Sequence, residues 1–321
     1  MRAMLSKVRS LTTPPPLFRR HLASSSDAAT ALPTSSSSIV DLERYPIDDL
    51  DTAPARALLE RARRDLAECG CASFPGFLTE RSILAAANEA RSKASDAFVT
   101  NDWHNAYQLP ESNPKLPERH VRNVAMNTRV ASTAYDELAT DGVLKRLYND
   151  PRLVRFVGAV TDRSLYPLAD PLGAASINVF QPSWSHAWHF DESEFTTTLC
   201  LQRAETGGSF EFSPRIRDTD ADLASDACAS LINANSSYSV VGDTVQALEP
   251  PVHPITTADF DAGTLQIFAG RYSLHRVTNV GGSLARLVAV LCFSAEPGYV
   301  NSASVQKMFW GRVANGTEPP R

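Results

Sequence analysis

The chain is 321 residues long, 43% hydrophobic and 21% charged, with a formal charge of −5 at pH 7. That composition fits a globular fold and excludes a disordered chain, a collagen or a long coiled coil. With 31 basic against 36 acidic residues the chain lacks the basic excess of a general nucleic-acid binder, and no run nears the ~20 apolar residues of a membrane-spanning helix. Neither nucleic acid nor membrane is expected as a partner.

The first 26 residues hold Arg2, Lys7, Arg9, Arg19 and Arg20, many Ser and Thr, and no acidic residue before Asp27. This is the composition of a mitochondrial or plastid transit peptide; the alternative is an unaddressed tail on a cytoplasmic protein. Pro14, Pro15 and Pro16 interrupt the apolar core that a secretory signal needs. With the serine tract Ser35 to Ser38, residues 1–38 read as a transit-like, disordered segment and 39–321 as the folded domain.

From Asp51 the pattern turns helical. Asp51 or Thr52 can cap, Pro54 suits the first turn, and Ala55, Leu58, Leu59, Ala62 and Leu66 share a face. Gly70 ends this helix, and Cys71 to Phe74 form a short apolar strand that leads through Pro75 and Gly76 to a second helix capped by Thr79. Tyr107 to Glu118, with Pro110, Pro114 and Pro117, is an expected loop; helical signals return at Tyr135 to Tyr148 and Leu153 to Val160. The odd count of five cysteines, Cys69, Cys71, Cys200, Cys228 and Cys292, without C-x2-C spacing, predicts reduced thiols.

Near Ala174 the periodicity changes to two. Strands are expected at Ser176 to Gln181, Phe195 to Gln202, Ser209 to Phe212, Thr244 to Leu248, Thr264 to Phe268, Leu274 to Asn279 and Arg286 to Phe293. Helices followed by many short strands predict an α+β fold: a double-stranded β-helix, or jelly roll, at about 174–298, braced by N-terminal helices within 50–160 and followed by a C-terminal extension at 299–321. The charged stretch Glu205 to Asp222 reads as a solvated excursion.

The informative segment is His186-Ala187-Trp188-His189-Phe190-Asp191-Glu192. On an extended backbone His189 and Asp191 leave the same face and can hold one ion. His275, at the start of another expected strand, completes a set of two imidazoles and one carboxylate, the facial triad of non-heme Fe(II) oxygenases, which leaves coordination positions open. Arg286 follows eleven residues later at the head of an apolar strand, where it can pair bidentately with the distal carboxylate of 2-oxoglutarate; Arg271 and Arg276 are alternatives for that role.

On these residues the sequence resembles the Fe(II)/2-oxoglutarate-dependent dioxygenases, in the branch containing the radical halogenases and hydroxylases of free amino acids. The resemblance is carried by Trp188 to Leu199, Gly207 to Glu211, the stretch Gly263 to Val280, and Arg286-Leu287-Val288. It implies Fe(II) as cofactor, 2-oxoglutarate and O2 as co-substrates, and release of succinate. Halogenases of that branch look like H-x-G or H-x-A, and this chain keeps Asp191, so hydroxylation of a small polar molecule such as a free amino acid is implied. The alternatives are a hydroxylase of protein side chains and a non-catalytic jelly roll that binds a metal or ligand.

Candidate substrate-binding residues are His186, Glu192, Arg122 and Trp310. His186 lies three residues before the first ligand; Glu192 and Glu194 can meet an ammonium; Arg122 can meet a carboxylate; Trp310 can close over a pocket from the C-terminal segment. Each has a plainer reading, as a loop histidine, a solvated acidic turn, a surface ion pair and a core tryptophan. Thr196, Thr197 and Thr198 are expected only as strand formers.

Overall fold

A computed structural model describes residues 38–109, 112–117, 120–217, 219, 225–235, 240–241, 244–245 and 255–314. The expectation for the transit-like segment, apart from Ser38, lies outside them.

The first helix, α1 (Ala53–Cys69), buries Ala55, Leu59 and Ala62 along one face. Thr52 caps it by accepting the Ala55 N–H at 3.3 Å, and Pro54 occupies the first turn, where a missing N–H costs nothing. Gly70 closes it at φ +81°, a conformation that glycine adopts without strain, and donates to Leu66 O. The chain passes directly into β1 (Cys71–Phe74) and then into α2 (Glu80–Lys93), capped by Thr79.

Two strands interrupt the region expected to be helical. They are β2 (Phe98–His104) and β3 (Met126–Thr133), which pair antiparallel and extend the main sheet. The stretch with helical signals at Tyr135 to Tyr148 holds a 3-10 turn (Tyr135–Glu137) followed by the short α3 (Val143–Tyr148). Gly142 stands at the break between them. The helix α4 (Pro151–Thr161) follows, capped by Asp150.

The β-rich half contains β4 (Tyr166–Pro167), β5 (Ala175–Phe180), β6 (His186–His189), β7 (Thr196–Gln202), β8 (Thr206–Gly207) and β9 (Phe210–Phe212). Beyond α5 (Ser225–Asn235) come β10 (Val240–Val241), β11 (Thr244–Val245), β12 (Thr256–Thr257), β13 (Leu265–Phe268), β14 (His275–Val277), β15 (Val280–Gly281) and β16 (Arg286–Ser294). The expected strand at Thr244 to Leu248 is described only over β11; β9 falls within the strand expected at Ser209 to Phe212, whereas β8 lies in the stretch read as a solvated excursion.

All described strand pairs are antiparallel. The main sheet runs β1-β13-β7-β16-β5-β3-β2 with β4 beside β16, and a smaller sheet runs β12-β9-β14-β6, the two-sheet arrangement of a jelly roll. Each face of the main sheet has its own task, because strand residues alternate between faces. One face carries Ile177, Val179, Leu199, Ile267, Leu287, Ala289 and Leu291 into the core formed with α1 to α4. The other face carries Ser176, Asn178, Thr196, Thr198, Arg286 and Val288 into the interior of the roll. From the C-terminal extension, α6 (Ala303–Trp310) closes one side of that interior with Val305, Phe309 and Trp310.

Candidate metal centre and its cavities

In the pairing of β6 with β14, His275 stands opposite His189, but Val277 stands opposite His186. Three steps along one strand match two along the other, which is a β-bulge. A regular strand would send residues three apart to opposite faces. The bulge brings both histidines inside, with ring centroids 3.8 Å apart and planes within 15°. His275 reaches the same point from the facing strand, its ring 4.1 Å from that of His189.

Asp191 lies just beyond the end of β6, held there by its N–H donating to Gly270 O at 3.0 Å. Its Oδ1 is 3.4 Å from His189 Nε2 and 3.4 Å from His275 Nε2. The three ligand atoms all lie within 4.8 Å of one another, spaced to share one cation. Gly270 must be glycine for this approach, because a Cβ there would stand 2.2 Å from Asp191 Oδ2. That oxygen instead accepts the Thr196 hydroxyl at 2.6 Å, which orients the carboxylate and leaves Oδ1 for the ion.

The proton positions suit a metal. His189 Nδ1 donates to Ala187 O at 2.7 Å and His275 Nδ1 donates to Ser273 O at 2.9 Å, so each Nε2 carries its lone pair toward the other ligands. Burial, followed by the neighbouring His275, pushes the His189 imidazolium down to about 4, so the ring is neutral at physiological pH. Burial pushes the Asp191 carboxyl up, but the two histidines beside it outweigh this and hold it well below the usual carboxylate range. Two imidazoles and one carboxylate converging on one point make a three-ligand set that fits Fe(II) and leaves positions open for further ligands.

An inner cavity of about 150 Å³ runs from the triad into the roll, and Arg286 lines it. The Arg286 side chain is 5% exposed, with its guanidinium carbon 5.4 Å from the ring centres of both Phe180 and Phe260 and no acidic partner among the described residues. Burial pushes its pKa down to about 10. The two alternative arginines are placed elsewhere. Arg276 pairs with Glu211 at 2.7 Å and lies 4.6 Å over the Trp188 ring, whereas Arg271 donates to the main-chain carbonyl of Glu192 and lines an outer chamber of about 900 Å³.

The four candidate substrate residues line these two spaces. His186 and Trp310 line the inner cavity, each with a buried ring nitrogen (Nε2 and Nε1) that has no hydrogen-bond partner among the described residues. Arg122 lines the outer chamber, where its Nε is buried without a partner among the described residues; its main chain is pinned by Asn105 Nδ2 donating to Arg122 O at 3.0 Å. Glu192 lines both, because strand geometry has ended at His189 and no longer turns successive side chains apart. Glu194 lines neither and pairs with Arg163 at 3.2 Å, so it is not a partner to Glu192 at the site. Thr196, expected only as a strand former, is the hydroxyl that orients Asp191. Gln108, in a segment read as an exposed loop, also lines both spaces, and nothing in its sequence context signals this.

No protein-family model and no curated protein matches this sequence. Solved structures with a similar fold include SnoN, a non-heme alpha ketoglutarate dependent epimerase from nogalamycin biosynthesis, at 16% identity over 73% of this chain and 80% of that one, with a TM-score of 0.48. A Pseudomonas putida prolyl-4-hydroxylase is 13% identical over 73% of this chain and 97% of that one, with a TM-score of 0.42. HygX from Streptomyces hygroscopicus, solved with nickel, 2-oxoglutarate and hygromycin B, is 13% identical over 73% of this chain and 85% of that one, with a TM-score of 0.44.

Proposed function

We propose that this protein is an Fe(II)- and 2-oxoglutarate-dependent oxygenase that hydroxylates a small polar molecule, such as a free amino acid. The observation that carries this reading is the joining, in one buried cavity, of the His189–Asp191–His275 site to an arginine with no acidic partner among the described residues. A site that only stores a metal has no use for a desolvated guanidinium on its cavity wall. A co-substrate with a carboxylate at its far end supplies the missing counter-charge.

When bound, iron with 2-oxoglutarate and O2 supplies the oxidising chemistry, with succinate and CO2 as co-products. The residues divide the remaining work. His189, Asp191 and His275 hold the metal on one side, with Thr196 fixing the carboxylate. Arg286 binds the distal carboxylate of the keto acid and sets its direction along the cavity. Val288, Phe309 and Trp310 present apolar walls that keep bulk water from the metal. With Asp191 present as a third protein ligand where halogenases of the resembled branch carry Gly or Ala, oxygen transfer is favoured over halogenation.

The test is anaerobic titration of Fe(II) and 2-oxoglutarate into the purified protein, following the weak visible metal-to-ligand charge-transfer band. Wild type is expected to form the band, and Asp191→Ala to lose it. Iron binding without any band would refute the oxygenase reading in favour of a metal-binding module. A formed band would be followed by an amino-acid panel scored by succinate release.

A further inference from the structure

At the throat lined by residues common to the inner cavity and the outer chamber stand two buried oxygen acceptors with no hydrogen-bond partner among the described residues, Glu192 Oε2 and Gln108 Oε1. Their orientation is built in. Gln108 Nε2 donates to Phe190 O at 2.8 Å, and since a carbonyl can only accept, the amide is held with Oε1 turned away from that contact. The Gln108 backbone lies in the left-handed region at φ +57°, which costs energy for a residue with a Cβ.

Asn105 enforces that conformation. It is buried; its Oδ1 accepts from Tyr107 N at 2.9 Å and Leu109 N at 3.3 Å, and its main-chain carbonyl accepts from Gln108 N at 2.9 Å. Glu192 is fixed as firmly, with Oε1 accepting from Ser302 Oγ at 2.8 Å and its main-chain carbonyl accepting from Arg271 Nε at 2.8 Å. Arg271 thus engages the main chain of Glu192, whose side chain keeps Oε2 unpartnered among the described residues.

A strained backbone at Gln108 and a buried carboxylate oxygen at Glu192, on two residues that both line the two cavities, are features kept where a ligand completes them. The ligand must donate at least two hydrogens at once and tolerate a negative neighbour. A primary ammonium does both; a hydroxyl donates once, and a carboxylate is repelled.

We infer that the throat is an ammonium subsite, in which Glu192 Oε2 and Gln108 Oε1 together bind a primary amine of the substrate. That the bound molecule is then oxidised beside Asp191 rests on the function proposed above; the binding itself does not.

The test is isothermal titration calorimetry of the full-length protein, metal-free and with Fe(II) and 2-oxoglutarate under anaerobic conditions, using n-butylammonium, n-butanol and butyrate as probes. Saturable binding of n-butylammonium is expected, with the alcohol and the acid at least tenfold weaker. Glu192→Gln and Gln108→Met should each weaken n-butylammonium at least tenfold, and Gln108→Glu should restore or strengthen it, all three variants being checked for native circular dichroism. The subsite is overturned if wild type shows no saturable n-butylammonium binding, if n-butanol or butyrate binds as tightly, or if both weakening variants leave the affinity unchanged. Absence of the charge-transfer band with n-butylammonium binding intact would refute the oxygenase reading and leave the subsite standing; the reverse result refutes the subsite alone.

Discussion

Replacing Arg286 with methionine should separate the cost of the buried charge from its use. Arg286 is 5% exposed, and burial pushes its pKa from the ordinary arginine value down to about 10. At about 1.4 kcal/mol per tenfold, that corresponds to roughly 3 kcal/mol of penalty on the charged form in the folded protein. Methionine fills similar volume, carries no charge, and keeps favourable sulfur contact with the Phe180 and Phe260 rings. It thereby replaces much of a cation–π attraction worth roughly 0.5–2 kcal/mol. The metal-free Arg286→Met protein should therefore melt at the same temperature as wild type or a few degrees higher. Affinity for 2-oxoglutarate should move the other way, since truncating one partner of a buried charged pair costs about 2–5 kcal/mol, or roughly 30- to 5000-fold. Calorimetry of the metal-free form and anaerobic 2-oxoglutarate titration of the Fe(II) form measure the two quantities. A 2-oxoglutarate affinity within threefold of wild type, or a clear fall in metal-free stability, would refute the argument that this arginine is held for an absent counter-charge.

Thr196→Val should lower Fe(II) affinity by about 10–100-fold, with Thr196→Ser restoring it, because only the hydroxyl orients Asp191; competition against a chelator dye reads both. Gly270→Ala should weaken metal binding at least as much while leaving the far-ultraviolet circular dichroism native, since its Cβ would displace Asp191 Oδ2 from 2.2 Å away. Acid should destabilise the metal-free protein in a defined window. His189 has a folded pKa of about 4 against an ordinary 6.5, so the unfolded chain takes up that proton first, and the stability present above pH 6.5 is lost as pH falls toward 4. Urea midpoints measured from pH 7 to 4 should decline across that range, with His186, also held down by burial, adding to the slope.

The parts of this molecule that could be read from sequence are those whose signal is local. Capping at Thr52 and Thr79, the stop at Gly70, and the alternation along β7 and β16 depend on neighbouring residues, and the helices and strands follow. The strands β2 and β3 were not legible. Strand β2 is a sheet edge that exposes Phe98, Val99 and Trp103, and β3 turns Thr128 and Ser132 into the roll, so neither shows apolar alternation. The ligand set is marked by residue type and spacing, but the inward turn of His186 depends on a bulge that exists only once β6 meets β14. Thr196 and Gln108 gain their roles from Asp191 and from Phe190 O, partners that local periodicity does not indicate.

The two-faced main sheet has an evolutionary consequence. Residues that hold the domain together, such as Ile177, Leu199 and Leu291, alternate in the chain with residues that face the chemistry, such as Ser176, Thr198 and Val290. Selection can therefore alter every second position of β5, β7 and β16 to recut the cavity for a new molecule without touching the contacts that anchor those strands to the helices. On this scaffold a change of substrate is a matter of parity along a strand.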